Sequence, residues 1–206
     1  MFSAEQHTAI KSTVDSLQAI YTVVLGLSLG EAFMQFVAEV GQAAEHKIRW
    51  DRAVSLLSFL LLIVPFFQGM NRYFFEVYLK SSALGAQYGG RLLVDCGVFT
   101  VEGCLFFILS RSLSQDKWQR FYATAFLLLG VDLVWDFRVF HYLRLPVLKI
   151  WMILDVAGLV GIGLILLTCW KLERRWIAGI AGVVLVLART VADYWLSWDV
   201  YFPKGE

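Results

Sequence analysis

Five aspartates sit inside stretches that are otherwise apolar: Asp95, Asp132, Asp136, Asp155 and Asp193. Four arginines, Arg72, Arg91, Arg138 and Arg189, lie within the same stretches or at their ends, and Glu31 and Glu102 add two more carboxyls. Carboxyl and guanidinium groups in such surroundings suit buried ion pairing, the lining of a solvated cavity, proton relay or cation passage. A lone charge in hydrocarbon costs about 2.5–3.5 kcal/mol on insertion scales, so these side chains must face protein, water or one another. Asp132 and Asp136 are four residues apart, which puts both carboxyls on one face of a helix. Arg189 and Asp193 have the same spacing and can pair along their helix, with the remaining arginines as counter-charges to the other acids. Glu31, Gln35 and Glu39 form a second polar stripe at helical spacing.

The elements that must position these groups follow from composition. The 206 residues are 59% hydrophobic and 17% charged, with mean hydropathy +0.65 and a formal charge of +1. A soluble domain carries about 45–50% apolar and about 25% charged residues. The departure on both counts is toward lipid. It excludes a disordered chain, a nucleic-acid binder and a disulfide scaffold, and the near-zero charge implies no electrostatic partner. A bilayer core of about 30 Å needs about 20 mostly apolar helical residues. Six segments meet that length, near 16–38, 53–73, 91–111, 119–141, 147–170 and 176–197. Asp95 and Glu102 interrupt the third, Asp132 and Asp136 the fourth. The runs are continuous and rich in Leu and Ile without alternation, so helices are expected rather than a barrel. The expected fold is all-α: a polytopic integral membrane protein, six transmembrane helices in a compact bundle, with residues 1–206 as a single membrane domain.

Six antiparallel spans give each charge a depth. Asp95, Asp132, Asp136, Asp155, Asp193 and the four arginines all fall in the half that faces the termini. Glu31 points the stripe of the first span toward the opposite side, and Glu102 lies near mid-membrane. Together they are candidates to continue a path from the terminal-side cluster across the bilayer. Trp118, Trp151, Trp170, Trp176, Trp195 and Trp198 fall near span ends, where indoles favour the headgroup level, whereas Trp50 and Trp135 fit that pattern less well. Residues 74–90 form the longest connection; Ser81, Ser82, Gly85, Gly89 and Gly90 mark it as irregular, and Phe74–Leu79 can prolong the second span. Short loops elsewhere predict antiparallel packing of sequence neighbours. Pro65 removes a backbone donor, so with Gln68, Gly69 and Asn71 it marks the expected broken helix beside a cavity. Gly26 and Gly30 form a G-x-x-x-G pair suited to close helix packing, within the chain or between chains. With Arg72, Arg91 and Arg138 set aside as helix-end residues, five basic residues flank the terminal side and nine the other. The positive-inside rule then puts the termini outside.

Other chemistry finds little support. Cys96, Cys104 and Cys169 lie in apolar runs without a C-x-x-C spacing and read as packing residues. His7, His46 and His141 are too few for a haem or di-iron site, and no cofactor or bound metal is expected. No cleavable signal or lipidation motif is expected at the ends. H-E-x-x-H and P-loop motifs are absent from the sequence. The pair Asp132-x-x-x-Asp136 resembles the metal-holding D-x-x-x-D of membrane CDP-alcohol phosphotransferases, but the D-G and A-R elements of that motif are missing around Asp116 and Arg120. Residues 58–74 resemble the second helix of the six-helix, P-loop-free potassium channels. Their first-helix Arg followed by Phe-Ser-Asp is replaced here by Gly26-Leu27-Ser28-Leu29-Gly30-Glu31, so no family is assigned.

Three functional readings result. The leading one is a small transport or channel-like protein, passing cations or protons through a cavity lined by Asp95, Asp132, Asp136, Asp155, Asp193, Glu31 and Glu102. The second is an anchoring or sensing subunit of a larger assembly, whose intramembrane charges are structural. The third is a metal-assisted lipid-modifying enzyme using Asp132 and Asp136. The expected setting is a plasma-type membrane such as a bacterial inner membrane. The lipid bilayer is the expected partner, with either further copies of the chain or a partner membrane subunit, and no nucleic acid.

Overall fold

The computed structural model describes residues 4–40, 50–80, 88–113, 118–172 and 175–202. Those residues form helices and short turns, with no strand among them. Six long helices run in order: α1 (Ala4–Val40), α2 (Trp50–Phe74), α3 (Tyr88–Arg111), α4 (Trp118–Leu143), α5 (Pro146–Leu172) and α6 (Arg175–Leu196). A short α7 (Trp198–Tyr201) follows α6, and α2 continues directly into a π-helical segment, Phe75–Lys80. The expected spans lie within these helices to within a residue, and α1 begins a full three turns before the first span. Ser81, Ser82 and Gly85 fall outside the described residues, and Gly89 and Gly90 belong to α3 rather than to a loop.

Five of the helices are long and apolar enough to cross a membrane: the windows lie in α1, α2 with its π-helical extension, α3, α5 and α6. Helix α4 is as long, but Arg120, Asp132, Asp136 and Arg138 lower its hydropathy. The outward faces of all six carry large apolar side chains. Leu27, Met34, Leu93, Val134, Phe137, Ile153, Leu167 and Val184 are each more than half exposed. An apolar surface that continuous is unusual for a water-soluble monomer.

Packing joins the helices into a closed ring in the order α1, α3, α4, α5, α6, α2 and back to α1. Here the structure departs from simple antiparallel neighbours, because α1 inserts between α2 and α3, which touch only slightly. Seven residues, 81–87, join the π-helical segment to α3. The turn between α4 and α5 is far tighter. Arg144 takes a left-handed conformation (φ 50°) and its N–H bonds to the Phe140 carbonyl at 3.0 Å, ending α4; Pro146 then opens α5 with its φ already suited to a helix.

Pro65 does not break α2. The helix is continuous through it. The carbonyl of Leu61, which the proline cannot serve, instead accepts the hydroxyl of Thr190 on α6 at 2.9 Å. One turn on, Tyr194 of α6 donates to Gln68 of α2 at 2.5 Å. The polar consequence of a proline thus becomes a seam between two helices. Glycines allow close approaches too, the tightest among the described residues where the ring of Tyr122 on α4 lies at the place a Cβ on Gly182 of α6 would stand. Gly26 and Gly30, by contrast, face open space on the outside of α1.

Inside the ring, the half away from the termini is mainly apolar, with Ser58 and Ser110 as buried hydroxyls. Phe59, Leu62, Phe106, Leu109, Phe121 and Leu128 are fully buried there. Phe106 meets Phe66 edge-on at 5.3 Å and Phe59 at 6.2 Å. The other half holds the polar groups.

Candidate functional site

The polar interior has three parts. The central one joins α3, α4, α5 and α6. Asp155 is fully buried, and its Oδ1 lies 2.5 Å from Nη2 of Arg189. The guanidinium also sits 5.5 Å from the centre of the Phe66 ring. Asp132 lines the same small cavity as Arg189. Asp136 is buried one turn away on α4, and Glu102 is buried on α3, where its Oε2 accepts a long hydrogen bond from Tyr21 of α1 at 3.5 Å. Four carboxyls therefore surround one guanidinium. Both oxygens of Asp136, one of Glu102 and one of Asp155 lack a hydrogen-bond partner, as do Nε and Nη1 of Arg189. Buried polar atoms are paired in the great majority of cases, so this concentration of unpaired oxygens sets the cluster apart.

A cavity of about 30 Å³ opens into the cluster, lined by Glu102, Asp132, Arg189 and Asp193 with Gly69 and Trp151 among its walls. That volume holds about two waters. At 1.5 Å rise per residue, the cluster is spread along the bundle axis. Measured from the terminal-side helix ends, Asp193 lies about 5 Å in, Arg189 about 10 Å, Asp155 about 14 Å, Asp132 about 16 Å and Glu102 about 21 Å. Beyond Glu102 the apolar packing around Phe106 closes the interior.

The second part is a cap on the terminal side. Asp193 accepts from Trp151 Nε1 at 3.1 Å, Ser197 Oγ at 3.3 Å and Tyr201 OH at 2.9 Å. Trp151 and Tyr201 stack at 6.5 Å between centroids. Burial, with the Asp193 carboxyl beside it, holds the Tyr201 hydroxyl well above the usual phenol range, so it remains a donor at neutral pH. Trp151 lines both the inner cavity and a surface groove of about 350 Å³ that also touches Arg72, Glu76 and Asp199. The Trp151–Tyr201 pair stands between them.

The third part is Asp95 on α3. It accepts from Tyr73 and Tyr78, each at 2.6 Å, and from Trp135 Nε1 at 3.0 Å. Tyr73, Phe99 and Trp135 pack edge-on at 4.5 and 5.1 Å and separate Asp95 from the central cluster. Asp95 faces instead a cavity of about 290 Å³ that includes Arg91 and Arg138.

The charges anticipated from sequence are thus divided. The structure gathers Glu102, Asp132, Asp136, Asp155 and Arg189, with Asp193 at the edge. Of the four arginines, Arg189 alone sits in this cluster. It bonds to Asp155 across helices rather than to Asp193 along its own. Arg72 lies 3.7 Å from Glu76, outside the cluster, and Arg91 stacks over Tyr142 at 5.0 Å. Glu31 accepts from Gln35 at 2.7 Å and lies 3.8 Å from Arg111. Arg111 is nine residues beyond Glu102, about 13 Å along α3, with buried Phe106 and Leu109 between. Glu31 therefore stands apart from the cluster. The donors that satisfy Asp95 and Asp193 escaped the sequence reading: Tyr73, Tyr78, Tyr201, Trp135 and Trp151. Trp151, near the start of the fifth expected span, is largely buried in the bundle; Trp135, an indole that fits the headgroup pattern poorly, was the available hint. Among the described residues no three His, Cys, Asp or Glu side chains converge as a metal site, Asp132 and Asp136 included.

No family model matches the chain, and neither the curated proteins nor the solved structures include a significant match to it. The class the structure defines is therefore a physical one: an all-helical bundle with helices able to span a membrane and an acid-rich interior.

Proposed function

We propose that the chain is a small six-span transport or channel-like protein of a plasma-type membrane, in which the central cluster forms a half-channel for protons or a small cation. The observation that carries this reading is the excess of buried, unpaired carboxyl oxygen around a single guanidinium. A network built only for stability would satisfy its members. Here each surplus carboxyl calls for a proton or a cation. The stepwise depths from Asp193 to Glu102 and a cavity of about 30 Å³ favour proton hopping through a few waters over a hydrated metal ion. The sixth span in this reading is α4. Its outward residues Phe126, Leu127, Val134 and Phe137 are apolar, and its two aspartates point inward. Conduction requires the Trp151–Tyr201 cap and the Phe59–Phe66–Phe106 packing to yield in turn.

The direct test is flux. Purified chain in liposomes with an internal proton-sensitive dye and a potassium gradient set by valinomycin should acidify or alkalinise faster than protein-free vesicles. Asp132→Asn and Glu102→Gln, each shown to be folded, should slow that flux. Wild-type protein, folded and inserted, that passes no protons above this control and no potassium above a valinomycin-free control would sink the proposal. The second reading, a membrane subunit with structural charges, draws on Asp95 and Asp193, each held by three neutral donors from other parts of the chain. Under it, Asp132→Asn changes stability or partner recovery and no flux.

A further inference from the structure

The Arg91–Arg138 cavity has no part in the proposed proton path. We propose that it binds the phosphate of an anionic phospholipid from the terminal-side leaflet. Two guanidiniums, on α3 and α4, share a cavity of about 290 Å³ whose remaining walls include Val77, Val94, Val139 and Leu143. That size sits at the lower end of small-ligand pockets and suits a headgroup without its acyl chains. The cavity's carboxyl, Asp95, already accepts three hydrogen bonds from Tyr73, Tyr78 and Trp135. Among the described residues no carboxylate pairs with Arg138, whose side chain is exposed.

Depth selects the occupant. Arg91 lies three residues from the start of α3 and Arg138 five from the end of α4, about 5 and 8 Å along the axis. Both therefore sit at the terminal-side rim, where a long arginine reaches headgroup phosphate. Arg91 is further fixed by its stacking over Tyr142 at 5.0 Å. Just deeper on the same two helices, Leu93, Val134 and Phe137 are exposed apolar side chains along which acyl chains can lie. Guanidinium groups recognise phosphate by paired, charge-assisted hydrogen bonds. The site depends on α3 and α4 spanning a membrane and not on conduction, so a failed flux assay leaves it standing.

The test uses full-length protein in phosphatidylcholine nanodiscs, titrated with phosphatidylglycerol of matched chains and read by native mass spectrometry of retained lipid. Wild-type protein should retain phosphatidylglycerol over phosphatidylcholine. Each of Arg91→Gln and Arg138→Gln should weaken phosphatidylglycerol retention about fivefold, with phosphatidylcholine retention and melting temperature in phosphatidylcholine unchanged. Arg138→Lys, which keeps the charge and loses the paired hydrogen bonds, should retain more of the preference than Arg138→Gln and less than wild type. Equal retention of the two lipids by wild type overturns the proposal without recourse to any variant. So does undiminished preference in the folded double variant. Displacement of bound phosphatidylglycerol by millimolar inorganic phosphate, with phosphate binding to lipid-free protein, would assign the site to a soluble anion and also overturn it.

Discussion

Two aspartates that look alike in sequence should respond oppositely to the same substitution. Asp155 bonds to Arg189 at 2.5 Å, and no other hydrogen bond to that guanidinium is present among the described residues. Asp155→Asn takes from a buried guanidinium the carboxylate hydrogen-bonded to it, a change that costs about 3–5 kcal/mol. For a chain of this size each kcal/mol moves the melting temperature by about 2–4 °C, so a fall on the order of 10 °C is expected. Asp136 is equally buried, yet neither of its oxygens has a donor. Its charge is repelled by Asp155, Glu102 and Asp193 and attracted by Arg189. Asp136→Asn removes three repulsions and one attraction, and replaces a buried charge with a neutral amide. Its melting temperature should match or exceed wild type. The assay is intrinsic tryptophan fluorescence during heating, in one lipid-detergent mixture for all three proteins. An Asp136→Asn variant that melts as early as Asp155→Asn would refute the claim that Asp136 is unpaired. If Asp136→Asn is stable and also conducts as wild type does, Asp136 leaves the proposed path.

Three further outcomes follow from the geometry. Thr190→Val should destabilise by about 1–3 kcal/mol, because the Leu61 carbonyl is then buried without a donor; in a Pro65→Ala background the restored helical N–H should shrink that loss, a coupling that a double-mutant unfolding cycle measures. Gly182→Val should cost about 1–3 kcal/mol in chemical unfolding by displacing the Tyr122 ring, while Gly130→Ala, which faces open space, should be neutral or slightly stabilising. Tyr201→Phe removes a donor to Asp193 and loosens the cap, so acrylamide should quench Trp151 more strongly than in wild type, read in a background where the other tryptophans are phenylalanine; unchanged quenching would mean that the hydroxyl does not hold the cap closed.

Much of the fold was written in local sequence. Helix length and position follow from runs of apolar residues, and the boundary cues at Pro146 and Trp118 act within a few residues of themselves. The inward bias of Asp132 and Asp136 was legible too, since two carboxyls four residues apart must share a face and cannot face lipid at low cost. What local pattern cannot encode is which helices become neighbours. The insertion of α1 between α2 and α3 is set by summed side-chain packing across the ring, and from it follows that Tyr21 reaches Glu102.

The pairing of charges depended on the same choice. From sequence, opposite charges at helical spacing favour Arg189 with Asp193; in the folded bundle a short cross-helix contact gives Arg189 to Asp155 and leaves Asp193 to Trp151, Ser197 and Tyr201. Indole and phenol donors could not be assigned beforehand, because an aromatic ring in an apolar run serves equally as core, interface anchor or hydrogen-bond donor. The sequence by itself determined a bundle of helices apolar enough to span a membrane, with its acids biased inward because charge in hydrocarbon is costly. Only tertiary structure decided which acids are paired, which are capped by neutral donors and which are left with surplus charge, because those distinctions rest on distances of a few ångströms between residues far apart in the chain.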